Sequence, residues 1–370
     1  MPRPVALSFG ALLLLLVALP TLAQEEGGDD DDSAPATVAE PAPPPRLDPL
    51  PGDTLVGDLL HQLGQPRPAH WMEPDPALIE QGRGIVHEGR TTGPDGKRSR
   101  VASPGFLCTD CHNTVREDPD LGVSDPDVRL THAIEHDLPF LPGTTLFGVV
   151  DRVSWFNDDY VKKYGTLVQP ANRALRMALL LCAAECSQGR VMDEWELDAM
   201  QAYLGTLGYR LADLDLTDDQ HQLLARAVTD ESLRADAVAA LTGAYLPYSP
   251  AHTREPPADR MAGYGNVGDP DRGGELYRRS CLTCHHSEGK GDPIRGEYDL
   301  QDNKHAAAEL SRARGGSSNL SYHQTITYGT RPFGVPIAYM PFFTKERISD
   351  QQVDDLQAYF DRMLGKGDSQ

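Results

Sequence analysis

Two short runs decide how this chain is read: Cys108-Thr109-Asp110-Cys111-His112 and Cys281-Leu282-Thr283-Cys284-His285. In each, two thiols stand three residues apart and an imidazole follows at once. That spacing lets both thiols form thioether bonds to the vinyl groups of one porphyrin, with the adjacent His under the iron. A zinc site would want further Cys or His at ligand spacing, and a dithiol redox pair would not need the His twice. The runs therefore predict two covalently attached c-type haems, one on Cys108 and Cys111, the other on Cys281 and Cys284. His112 and His285 are the expected axial ligands.

Working outward, the chain repeats itself. Val353, Leu356, Phe360 and Met363 recur at helical spacing, and Leu197, Met200, Leu204 and Leu207 repeat the pattern at a constant offset of 156. Both stretches carry Gln-Ala-Tyr, at 201–203 and 357–359, and both open on a capping residue, Asp193 and Ser349. Upstream, Gly82, Ile85 and Val86 parallel Gly273, Leu276 and Tyr277 at an offset of 191. The offset between the two haem motifs is 173, so the first copy carries 18 extra residues between its first helix and Cys108. Leu216 to Ala244 reads as a helix or helix pair, and Pro247, Pro250, Pro256 and Pro257 mark an extended connection. Alternating β-type patterns are nearly absent. The expected fold is mostly α, with two tandem helical domains.

The second copy resembles a class I cytochrome c domain over roughly residues 268–364: Gly273-Gly274-Glu275-Leu276-Tyr277, the Cys281–His285 motif, Tyr339-Met340-Pro341 and the last helix with Ala358-Tyr359. The resemblance makes Met340 the distal thioether ligand, and a soft sulfur donor suits low-spin iron. Tyr322, Tyr328, Arg331 and Tyr339 are expected to line that haem. The first copy departs from the pattern, because the position equivalent to Met340 is Ala184.

Two further cysteines flank that place, in Cys182-Ala183-Ala184-Glu185-Cys186-Ser187-Gln188-Gly189-Arg190. The stretch is similar to one in the di-haem thiosulfate dehydrogenases and their sulfur-oxidising relatives, which implies a thiolate ligand at Cys182. Iron would favour the thiolate. A Cys182–Cys186 disulfide across one helical turn is the other reading. Met177 and Met192 sit where Met is usually core, and His132 and His136 could offer an imidazole but fall in an acidic, exposed segment. His286 is read as a surface residue near the haem edge. The aromatic-rich stretch from Phe140 to Tyr164 falls where a haem-side loop or a substrate pocket would form.

The remaining features bound the setting. With 34 basic and 55 acidic residues among 370, the net charge of −21 repels nucleic acid and anionic lipid. Redox partners with basic docking faces are expected instead. Val5 to Leu19 is nearly all apolar but short for a membrane span of roughly 20 residues, and Thr21-Leu22-Ala23 offers a cleavage site. No transmembrane segment is expected beyond this signal. The acidic, Pro-rich sequence after it cannot build a core. The expected organisation is a signal peptide at 1–23, a disordered linker at 24–70, domains at 71–212 and 263–366, and a helical connection at 213–262.

Together these features predict an exported di-haem electron carrier in which electrons run from a lower-potential first haem to the His/Met haem. A thiosulfate dehydrogenase-like oxidoreductase working at the first haem is the alternative. Only Arg173, Arg176 and Arg190 are available in that segment to hold a dianionic substrate.

Overall fold

Aspartate followed by proline starts three of the helices. In a computed structural model that describes residues 46–156, 158–248, 250–285, 312, 321–329 and 340–365, Asp75, Asp125 and Asp269 each accept a hydrogen bond from the N–H two residues on, at 2.8–2.9 Å. The proline between them supplies the first helical φ and needs no donor there. In chain order the helices are α1 (Val56–Gln62), α2 (Pro76–Glu88), α3 (Pro126–Glu135), α4 (Val161–Tyr164), α5 (Val168–Arg173), α6 (Leu175–Leu181), α7 (Glu194–Gly205), α8 (Asp218–Ala227), α9 (Arg234–Thr242), α10 (Pro270–Ser280), α11 (Tyr322–Tyr328) and α12 (Asp350–Met363). A π-turn, Cys182–Cys186, continues α6. Among the described residues β-structure is limited to isolated bridges. The mostly helical fold is thus observed.

The offsets of 191 and 156 take physical form in two helix pairs, α2 on α7 and α10 on α12. A Cβ added at Gly82 would fall on the carbonyl oxygen of Ala199 and against Tyr203; one added at Gly273 would fall on that of Asp355 and against Tyr359. Each pair is therefore closed by a glycine where backbone meets backbone. The helix starts match as well. Asp193 N–H donates to Glu196 Oε2 and Ser349 N–H to Gln352 Oε1, both at 2.9 Å. Leu197, Met200 and Leu204 are buried on α7, and Val353, Leu356 and Phe360 on α12.

Each pair has its own core, but the second core is finished by residues of the first repeat. Leu130 and Ala133 of α3, with Phe140, are buried among Leu276, Tyr277, Tyr322, Ile326 and Phe360. The described residues from Arg46 onward accordingly fall in one compact unit.

The stretch expected to be a linker up to residue 70 is folded from residue 46 onward. Val56, Leu59 and Leu63 join Tyr209, Leu211, Leu224, Ala227, Ala237, Leu241 and Tyr245 in a further core, and Val56 N–H donates to Tyr209 O at 2.8 Å. Few apolar residues suffice there because α8 and α9 supply the other half of the core. His70 then seats Nε2 on Val150 O at 2.8 Å, with its ring edge-on to Trp155. The expected signal peptide and the start of the expected acidic tether lie outside the described residues, and no described helix is long and apolar enough to cross a membrane.

Candidate haem site

Both motifs fold into the same tight turn. Cys111 and His112 donate their N–H groups to Cys108 O at 3.2 and 2.9 Å, and Cys284 and His285 donate theirs to Cys281 O at 3.0 and 2.7 Å. No disulfide joins any of the six cysteines in the structure. Burial pushes the Cys108 and Cys281 thiols up, to about 11 and about 12, and it is also the main cause that holds Cys111 well above its ordinary value.

At the first motif, Cys108, Cys111 and His112 open onto a cavity that encloses about 1500 Å³ when the part open to solvent is included. Ile85, Val86, Leu146, Leu175, Met200 and Leu204 give it apolar walls, drawn from α2, α6, α7 and the loop after the motif. His112 is held from behind, its Nδ1 lying 2.6 Å from Thr144 O. A carbonyl can only accept, so Nδ1 carries the proton and Nε2 keeps its lone pair, the arrangement a metal-binding imidazole needs. Gly143 makes this approach possible: its N–H donates to Cys111 O at 2.8 Å, and a Cβ there would strike the His112 ring.

The π-turn also reaches this cavity. A π-turn widens the helix and is frequent at functional sites, and here it brings Cys182, Ala183 and Cys186 to the cavity. The two thiols are hydrogen-bonded to each other, and that bond, followed by burial, holds Cys182 well above its ordinary value. Cys186 Sγ also reaches Tyr164 Oη at 3.5 Å. The sequence reading named Cys182 alone as ligand; both sulfurs line the space, and no disulfide joins them.

The turn that follows is structural. Gln188 has φ 50°, a Cβ on Gly189 would strike Ala102 O, and Arg190 is tied to Val101 O, Arg100 O and Glu196. Arg176 pairs with Asp198 and Glu194, and Arg173 is exposed; none of the three arginines lines the cavity.

Other expected residues fall as follows. Met192 is 4% exposed, packed with Met200 and Leu197 at the cavity edge, whereas Met177 is 39% exposed and belongs to no core. The rings of His132 and His136 meet at a tilt, their centroids 4.0 Å apart, and neither lines the cavity. The aromatic stretch is a wall: Trp155, Phe156, Tyr160 and Tyr164 all line the space, with Phe156 and Tyr160 edge-to-face at 4.9 Å.

Sequence reasoning missed Arg152, which is 7% exposed, lines the cavity and donates to Thr145 O at 3.1 Å. A buried guanidinium at that wall suits an anionic group such as a propionate. Pro341 and Phe342 were missed too. They come from the far end of the chain, and Phe342 meets Tyr160 edge-to-face at 5.7 Å. No signal within either repeat could have announced that crossing.

At the second motif, Cys281 and Met340 pack against one core cluster, with Tyr322 inside it. Tyr328 Oη donates to Arg254 O at 2.7 Å. His286, Arg331 and Tyr339 lie outside the described residues.

The chemistry of the donors at the first cavity fits a haem: two thiols and one oriented imidazole face one apolar space. Comparison with known proteins bears on the second motif. No curated protein and no solved structure matches the chain. Residues 268–360 match the family model of cytochrome c oxidase, cbb3-type, subunit III. The chain thus contains a c-type cytochrome domain, which implies a covalently bound c-type haem and a role in electron transfer.

Proposed function

We propose that the protein is an exported electron-transfer cytochrome that holds two c-type haems. Cys108, Cys111 and His112 would hold the first; Cys281, Cys284, His285 and Met340 would hold the second. A bound haem supplies the one-electron iron couple. The observation that carries this reading is the His112 clamp, in which Thr144 O fixes the imidazole tautomer inside a cavity walled by both motif thiols. The repeated turn and the repeated glycine-closed helix pairs support the same assignment for both motifs. The apolar walls and the aromatics around Tyr160 would exclude water, and the acidic surface would favour partners with basic docking faces.

At the first site we assign the sixth position to Cys182, with Cys186 as its hydrogen-bonded neighbour. Two thiols in one cavity also favour the thiosulfate dehydrogenase-like alternative. The arginines that were to hold a dianion are engaged or turned elsewhere, and this leaves electron transfer as the better-supported function.

Low-temperature EPR of the oxidised protein tests both points. The expected result is one His/Met signal and one thiolate-type signal, the latter lost in Cys182→Ala and kept in Cys186→Ala. Thiosulfate turnover that disappears with the thiolate signal would establish the enzyme reading. First-site signals unchanged by Cys182→Ala would make that cysteine structural.

A further inference from the structure

The strap from Pro139 to Leu146 passes behind His112, and each of its anchors leads to one buried carboxylate. Thr144 O holds the imidazole, and the next N–H, that of Thr145, donates to Glu117 Oε1 at 2.9 Å. Asn113, directly after His112, donates to Glu117 Oε2 and to Pro139 O, both at 3.1 Å. The partner of Glu117 comes from the other helix pair. Arg347, two residues before the cap of α12, forks onto both oxygens of Glu117 and also donates twice to Leu141 O, at 2.6 and 3.0 Å. Arg129 and Asp118 complete the cluster: Arg129 Nε donates to Asp118 Oδ1 at 2.9 Å and Nη1 to Glu346 O at 2.6 Å. Glu117, Arg129 and Arg347 are each 2% exposed, and Asp118 at the cluster's edge brings the balance to two positive and two negative charges.

A cluster of this kind is a poor investment for stability alone, because desolvating the charges cancels most of their attraction. Its placement points to another use. Only one peptide unit separates the carboxylate of Glu117 from the carbonyl that holds His112. Segment 340–347 carries Met340 at its start, Pro341 and Phe342 in the wall of the first cavity, and Arg347 at its end.

We propose that Glu117 and Arg347, one from each helix pair, act together as a positioning pair for His112. They hold its strap and set a balanced electrostatic environment for the first haem, with Arg347 supplied by the second repeat. This rests on the two-haem reading above. Its consequence is that the charges tune the first site in opposite senses. An unbalanced Glu117 carboxylate favours the ferric state, and an unbalanced Arg347 guanidinium favours the ferrous state.

The test is spectroelectrochemistry of the full haem-loaded chain, with the first site followed by its EPR signal. Arg347→Met is expected to lower the midpoint of the first haem and Glu117→Gln to raise it. The double variant should return towards wild type, and the second haem should be unmoved throughout. Loosening of the fold alone would shift both single variants in one direction and would not be rescued by the double. Asp118→Asn lies at the cluster's edge, with its side chain 16% exposed, and should fold where a core variant does not. It is expected to raise the first midpoint. Single-variant shifts of the same sign, or no shift in Asp118→Asn, overturn the proposal. Haem content by pyridine haemochrome separates the two levels: one haem per chain overturns the underlying reading, whereas two haems without opposed shifts overturn the positioning pair alone.

Discussion

Glu117 is a buried carboxylate and Asp151 a half-buried one, and their surroundings push them in opposite directions. Burial raises Asp151 to about 7, opposed by the Tyr209 N–H that donates to its Oδ2 at 2.7 Å. Burial would raise Glu117 too, but the guanidiniums of Arg347 and Arg129 outweigh it and hold that carboxyl below its ordinary range. The signs follow by linkage. Between pH ~4 and ~7 the folded state retains a proton on Asp151 that the unfolded chain has released, so its contribution to stability falls as pH rises through that window. Glu117 contributes stability that is lost only as pH drops below the ordinary carboxylate range. Asp151→Asn should therefore be more stable than wild type by on the order of 4 kcal/mol at pH 8, with the gain gone near pH 4. Denaturant melts at the two pH values check this, and an equal gain at both would sink it. Neither environment could be read from sequence, where Asp151 and Glu117 look like two among many acids. The two Cys-x-x-Cys-His turns were legible as motifs, because their spacing is a property of the linear sequence. Cys186 was legible only as half of a disulfide, since linear spacing does not show that a π-turn aims both sulfurs at one space.

The elements were read correctly where a pattern within the helix forced them. Offsets of 191 and 156 located α2, α7, α10 and α12, because apolar periodicity and caps are local. The glycines report how those helices meet. Gly82→Ala must push α2 off Ala199, and Gly273→Ala must push α10 off Asp355. Overpacking of this kind costs about 1–3 kcal/mol, and more where the obstacle is backbone. Each variant should lower the thermal midpoint, and each should disturb the visible spectrum of its own haem more than that of the other. A variant that melts like wild type would mean the helices slide apart freely. The partner of α3 was not legible. Its buried Leu130 and Ala133 make an ordinary amphipathic face, and nothing in that face says that it serves the core built by α10, α11 and α12.

At the scale of the whole molecule, that misplaced partner changes what a domain boundary means. Tandem copies suggest modules that could be separated, yet Leu130, Ala133 and Phe140 finish the second core, Arg347 completes the cluster behind the first motif, and Phe342 walls the first cavity. A haem-loaded fragment of residues 250–370 would keep every residue of its own repeat and lose the face that α3 and Phe140 cover. Arg347 would then meet water, so the ion cluster itself would cost the fragment little. The loss would come from apolar burial, at about 1.5–3 kcal/mol for each large side chain that no longer packs. For a domain of that size each kcal/mol is worth roughly 4–8 °C. The fragment should therefore melt ~10 °C or more below the intact protein, while the intact protein melts in one coupled transition rather than two. Calorimetry of both chains decides it. A fragment as stable as the whole would show that the shared core is only contact, and that the two copies are beads on a string after all.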